Sequence, residues 1–208
     1  MPDCWLDAAM VGLADLYPEF FRGRFTTPDG GLFPDKAAVT LTKDSEKKTY
    51  WVNYLDVAQS TLFPGKKSNS HGGVYWWPSL VESAIQSWYA DHGQLDALSS
   101  GGYPSDSIEL LTGVKSAQWM EDEAATWTRF QRGNKIPVVI TTKPNSTRTL
   151  ISFHAYTISL AEEKNGVKWV TVRNPWHETQ RHKFEDVYAD ISSVGHYVDV
   201  DATPTNDV

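Results

Sequence analysis

The stretch Asp3-Cys4-Trp5-Leu6-Asp7-Ala8-Ala9-Met10-Val11-Gly12-Leu13-Ala14 sets Trp5, Ala8, Ala9 and Leu13 on one face at helical spacing. The pattern predicts a helix with Asp3 as N-cap and Pro2 just outside it, and with Phe20 and Phe21 capping its core. Residues 24–64 change to short strands and turns. Pro28-Asp29-Gly30-Gly31 is a turn signal, and the β-prone runs 37–42 and 49–54, separated by a charged turn, predict a hairpin. After a polar loop at 66–73, residues 77–89 carry Leu80, Ala84 and Trp88 beside Val81 and Ile85 as an apolar stripe, with Pro78 suited to a first helical turn. Gly101-Gly102 marks a turn. Ser105 is placed to cap a third helix that runs to about Leu111 and ends at Gly113.

From Pro137 the character becomes β. Residues 138–142, 150–160 and 167–173 read as strands, and 202–208 as a frayed tail. The chain therefore reads as α+β: an N-terminal helical lobe, residues 1–120, and a C-terminal antiparallel β-sheet lobe, residues 121–208, with the change of character falling within 114–136. There is no internal repeat and no low-complexity tract.

A length of 208 residues suits one domain or two small lobes sharing an interface. The net charge of −7, with Lys66-Lys67 as the one short basic cluster, argues against nucleic acid as the main partner. No apolar run is long enough to span a membrane, and Met-Pro-Asp-Cys lacks the regions of a signal peptide, so the expected location is cytoplasmic. Oligomeric state is not legible. The many Trp, Tyr and Phe residues are compatible with a ring-lined groove but select no function.

Cys4 is the single cysteine, which excludes an internal disulfide and is compatible with a reducing compartment. A lone cysteine is by default a small buried hydrophobe. Two further residues change that reading. His154 lies in the expected strand Ile151-Ser152-Phe153-His154-Ala155-Tyr156, and Asn174 ends the next one in Val172-Arg173-Asn174-Pro175-Trp176. A thiol at a helix N-terminus is favoured as thiolate by the exposed N–H groups and the dipole. An imidazole can take its proton and return it to a leaving amine, and a side-chain amide oxygen accepting the other ring N–H holds the imidazole in place. Trp176 is positioned to keep water from that hydrogen bond, and the Cys4 backbone N–H can supply part of an oxyanion hole.

The β-hairpin offers a geometric test. A three-residue loop Lys164-Asn165-Gly166 pairs 163 with 167, sets Asn174 opposite Tyr156 and so brings it to the face of His154. A two-residue turn at Asn165-Gly166 sends the two side chains to opposite faces. The catalytic reading therefore requires the longer loop or a compensating bulge.

Taken one at a time these residues have plainer readings. His154 could be a core histidine and Asn174 a turn residue. His177 and His182 hint at a metal site but lack a third ligand at suitable spacing, and His71, His92 and His196 read as loop or surface residues. Tyr75-Trp76-Trp77 reads as packing between the lobes.

Asp3-Cys4-Trp5-Leu6-Asp7-Ala8-Ala9 resembles the active-site Cys motif of the calpain family. Trp77-Pro78-Ser79-Leu80-Val81-Glu82-Ser83-Ala84 and Gly101-Gly102-Tyr103-Pro104-Ser105-Asp106 resemble its next two landmarks. His154-Ala155-Tyr156 and Arg173-Asn174-Pro175-Trp176 are similar to its His and Asn motifs. The resemblance spans residues 3–176. It implies a papain-like two-lobe cysteine protease fold and a thiol endopeptidase acting on a protein substrate through a thioester, with the triad Cys4, His154 and Asn174. It also implies a Gln a few residues ahead of Cys4 as an oxyanion donor, upstream of where this chain begins. Pro2 and His177 stand where the family usually has Gly. No cofactor is required by this chemistry. Calcium is possible by the resemblance, with Asp106, Glu109, Glu121, Asp122 and Glu123 as candidate ligands beside the plainer reading of a solvated acidic face. The alternative function is a catalytically weak module of the same family that binds or regulates protein partners. A transferase or amidase on the same fold is a third option.

Overall fold

The computed structural model describes residues 3–27, 35–59, 67–68, 74–75, 77–146, 148–176, 178–199 and 201–204. Pro2, the Pro28–Gly31 turn, most of the 66–73 loop including His71, Trp76, His177, and the side chains of Phe21 and Tyr75 lie outside the described residues.

The elements run α1 (Cys4–Leu16), α2 (Pro18–Gly23), β1 (Phe25–Thr26), β2 (Lys36–Lys43), β3 (Glu46–Asn53), α3 (Tyr54–Gln59), β4 (Lys67–Ser68), β5 (Val74–Tyr75), α4 (Trp77–Asp91), α5 (Ala97–Ser100) and α6 (Pro104–Thr112). They continue β6 (Ser116–Trp119), α7 (Glu123–Phe130), β7 (Val138–Thr142), β8 (Ala155–Lys164), β9 (Val167–Arg173), β10 (Thr179–Lys183), α8 (Phe184–Asp190) and β11 (Ile191–Tyr197). The fold is α+β with antiparallel sheets. A six-stranded sheet has the order β10-β9-β8-β7-β11-β6, and the hairpin expected near residues 37–54 is the β2–β3 pair, extended by β1 into a second sheet. Among the described residues no helix is long and apolar enough to cross a membrane.

Two apolar cores meet at α1. Trp5, Leu6, Met10 and Leu13 pack with residues of β2, α4 and α6, and the expected stripe Leu80, Val81, Ala84, Ile85 and Trp88 is buried there. Cys4, Ala8 and Ala9 belong instead to the core under the six-stranded sheet, with Val139, Tyr156, Ile158 and Val172. The single face expected for Trp5, Ala8, Ala9 and Leu13 is thus divided between two partners, because the helix is covered on both sides. Trp77 packs against the first core, with Phe25 at a ring separation of 6.3 Å, rather than between the cores.

Two boundaries differ from the sequence pattern. Helix α6 starts at Pro104, whose fixed φ suits a first helical position, so Tyr103 takes the N-cap place and Ser105 lies inside the first turn. Gly113 ends the helix in the left-handed conformation, φ 72°, as expected. The apolar run 150–160 enters strand pairing at Ala155, not Leu150. Ahead of it the Thr142 hydroxyl donates to the Ile151 carbonyl at 2.6 Å and accepts the His154 N–H at 2.9 Å, and this turns the chain. His154 therefore precedes β8 instead of lying within it.

Candidate active site

The β8–β9 hairpin decides where Asn174 goes. Lys164 pairs with Val167, so the turn is the two-residue Asn165-Gly166, both in the left-handed region at φ 54° and 74°. The three-residue loop is not formed. The register shifts between Ile158 and Leu160, however, so that Ser159 is an extra residue, and Thr157 pairs with Arg173. Continuing that register sets Asn174 opposite Tyr156. The bulge thus does what the longer loop would have done.

The outcome is a buried hydrogen bond between His154 Nε2 and Asn174 Oδ1 at 2.9 Å. The amide orientation follows from its neighbours: the Trp176 backbone N–H, which can only donate, lies 3.0 Å from the same Oδ1. That atom is therefore the oxygen, the His154 Nε2 carries the proton, and Nδ1 is left as the basic nitrogen. The Trp176 ring lies against His154 at 4.2 Å and the Tyr156 ring meets it edge-on at 4.9 Å. Trp176 is itself 38% exposed, so it stands between the buried pair and solvent.

Cys4 is the first residue of α1, where backbone N–H groups lack partners within the helix. Asp3 occupies the N-cap position, but its side chain makes no capping hydrogen bond; its carbonyl accepts from Leu6 and Asp7 instead. Cys4 and His154 line one cleft of about 560 Å³, with Trp5, Gly102 and Tyr103 on the helical side and Phe153 beside His154. Among the described residues no hydrogen bond links the Cys4 thiol to the imidazole. Burial pushes the thiol above its ordinary 9.0, opposed by the Ala155 backbone N–H and reinforced by Asp3. Burial also pushes His154 below its ordinary 6.5, opposed by the Asn174 hydrogen bond. Both shifts favour the uncharged forms, the thiol and the neutral imidazole. Gln118, on the cleft wall, is committed elsewhere: it accepts from the Ser105 N–H at 3.3 Å and donates to Ser193 Oγ at 2.7 Å.

The acids singled out as cation ligands are engaged separately. Asp106 pairs with Lys43 at 2.7 Å, Glu109 accepts from the Ser116 N–H at 3.2 Å, Glu121 pairs with Arg129 at 3.1 Å, and Asp122 caps α7. Glu123 is exposed in the first turn of α7. The carboxylates that the fold gathers are Asp3, Asp7 and Glu82, all buried and with ligand atoms within 4.8 Å of one another. Their hard oxygen donors suit calcium, and the part legible in the sequence is Asp3 and Asp7, four residues apart at the start of α1. Of the other histidines, His92 is exposed and bonded to Glu46, and His182 lies on edge strand β10. His196, expected at the surface, is fully buried in β11, an inner strand whose residues 194–197 are all buried; it packs against Trp119, and burial lowers its pKa.

No protein-family model matches the chain, and a search of curated proteins finds no match.

Proposed function

We propose that the chain is a papain-like, calpain-like cysteine endopeptidase unit in which Cys4, His154 and Asn174 act as a triad. The observation that carries this reading is the buried His154–Asn174 hydrogen bond beside a cleft that Cys4 also lines. Cys4 passes its proton to His154 Nδ1 as the sulfur attacks a peptide carbonyl. The oxyanion forms near the start of α1, where the Cys4 N–H donates. The imidazolium then protonates the departing amine, leaving a thioester on Cys4. Water, deprotonated by the neutral ring, attacks that thioester and releases the acid and the thiol. Asn174 holds the ring through Nε2–H, and Trp176 keeps water from that bond. Calcium, if bound, would be held by Asp3, Asp7 and Glu82 and would supply charge compensation beside the nucleophile. The substrate class is a protein, and a reducing compartment such as the cytoplasm suits a free thiol.

Among the described residues no hydrogen bond joins Cys4 to His154, and this favours a second reading, a catalytically weak module that binds protein partners. Incubation with casein and with a thiol-directed epoxide separates the two. The peptidase reading expects casein fragments and epoxide on Cys4, both lost in Cys4→Ala. Unlabelled Cys4 and identical behaviour of Cys4→Ala would sink it.

A further inference from the structure

Residues 148–154, which lead into His154, belong to no strand, so their N–H groups need acceptors from elsewhere in the fold. The Asp190 carboxylate takes three in succession: the Arg148 N–H on Oδ1 at 3.2 Å, and those of Thr149 and Leu150 on Oδ2 at 2.8 and 3.0 Å. The Tyr156 hydroxyl accepts the Ile151 N–H at 3.0 Å, the Lys143 carbonyl that of Phe153 at 3.3 Å, and Thr142 Oγ1 that of His154 at 2.9 Å. Thr142, Lys143 and Tyr156 flank the β7–β8 connection, whereas Asp190 reaches it from the end of α8. Asp190 is 2% exposed, and its own carbonyl accepts the Lys143 N–H at 2.8 Å and the Ser146 hydroxyl at 3.2 Å. One residue thus grips the connection where it leaves β7 and where it returns towards β8. A buried carboxylate accepts without donating, and three N–H groups suit its two oxygens. Asp186, one turn earlier on α8, meets only the Arg148 side chain, at 3.3 Å.

We propose that Asp190 is a positioning residue for His154: its carboxylate fixes residues 148–150 and, through the segment they begin, holds the imidazole against Asn174. Phe153 shows what the anchor restrains. Its backbone is left-handed, φ 51°, although its ring is 75% exposed and gives that conformation little support. Such a conformation persists where its surroundings over-determine it. Freeing residues 148–150 lets Phe153 return to ordinary backbone angles, and His154, the next residue, turns with it. Asn174 does not follow, because its N–H is held by the Glu178 carbonyl at 2.7 Å. The bond from His154 Nε2–H to Asn174 Oδ1 is then lost to poor alignment. The placement of the ring is independent of any reaction; its effect on rate rests on the peptidase reading.

The test compares the full chain with Asp190→Ala, Asp190→Asn and Asp186→Asn. It reads exchange of the His154 Nε2 proton with water by NMR, the signal being assigned by its absence from His154→Gln. It also reads kcat and KM on fluorescently labelled casein, well below the melting midpoint of each variant. Asp190→Ala frees all three N–H groups. It is expected to speed the proton exchange at least about tenfold and to lower kcat about 10- to 100-fold with KM little changed, the scale of a small misplacement of a reacting group. Asp190→Asn keeps one oxygen for Thr149 and Leu150 but sets an NH2 against the Arg148 N–H, so it should fall between Asp190→Ala and the intact chain. It decides the matter if Asp190→Ala does not fold. Asp186→Asn, which loses only the pair with the Arg148 side chain, should match the intact chain. A lowered melting midpoint with unchanged exchange and unchanged kcat makes Asp190 a structural anchor alone and overturns the proposal. An equal response to Asp186→Asn overturns it too. If the intact chain cuts no casein, the peptidase reading falls, and the proton exchange still decides for or against Asp190. Faster exchange with unchanged kcat keeps Asp190 as the positioning residue and removes the His154–Asn174 pair from the reaction.

Discussion

The face of α1 turned to the six-stranded sheet carries Cys4, Ala8 and Ala9, while the face turned to β2, α4 and α6 carries Trp5, Leu6, Met10 and Leu13. The small side chains let the helix backbone approach β8: the Thr157 hydroxyl donates to the Ala8 carbonyl at 2.5 Å, and a Cβ on Gly12 would come within 3.1 Å of Thr157 Cγ2. The large side chains fill a core. Alignment and cohesion are thus assigned to opposite sides of one helix. The alignment side registers Cys4 against β8, the strand that begins one residue after His154.

The sharpest way to break this division is Leu13→Ala. Leu13 is fully buried, so the loss should be about 2–5 kcal/mol in urea unfolding, while thiol alkylation of the molecules that remain folded is unchanged. Ala9→Leu attacks the other face and should remove about 1–3 kcal/mol by overpacking, with a slower reaction of Cys4 towards iodoacetamide. A loss of stability without any change in alkylation would show that this face does not position Cys4.

The pH profile sharpens the comparison on the sheet side. Because the folded Cys4 thiol titrates above 9.0, its alkylation rate should climb through the neutral range and reach half its maximum above that value; a plateau below pH 7 would mean a preformed ion pair instead. His154 is depressed below 6.5, so the unfolded chain binds the extra proton first as pH falls. The stability that His154 contributes is therefore full above pH 6.5 and declines as pH drops below it towards the folded value, as midpoints of the intact chain and of His154→Gln measured across that window will show. The smallest effect belongs to Gly12→Ala. Helix propensity gains up to about 1 kcal/mol, and crowding against Thr157 offsets it, so a net change under about 1 kcal/mol is expected in the same unfolding experiment.

Local pattern sufficed to place α1, α4, the β2–β3 hairpin, β7 and β9, although α1 is covered on both sides and β3 buries only Val52. Residues 150–154 carry an equally apolar run, yet what turns them is a hydroxyl from Thr142 on another strand, which no local pattern announces. His154 and Asn174 were legible as chemistry, but the route that joins them was only half legible. Asn165-Gly166 is the strongest signal for a two-residue turn, and the bulge that compensates for it depends on how β9 lies against β8. Asp3, Asp7 and Glu82 come together because α1 and α4 pack, and spacing along one helix reveals only the first two.

The bulge at Ser159 also sets which changes of length the hairpin can absorb. Strand β8 holds one residue more than the ladder needs between the site and the turn. Deleting Ser159 straightens the ladder and leaves Asn174 facing His154. One residue added to β9 does the same, because it fills the existing mismatch. A residue added to β8 or removed from β9 doubles the mismatch and shifts the amide off the imidazole unless a second bulge forms. The two strands are therefore unequal as substrates for insertion and deletion: β8 can shorten or β9 can lengthen by one residue, but not both, before the site feels it.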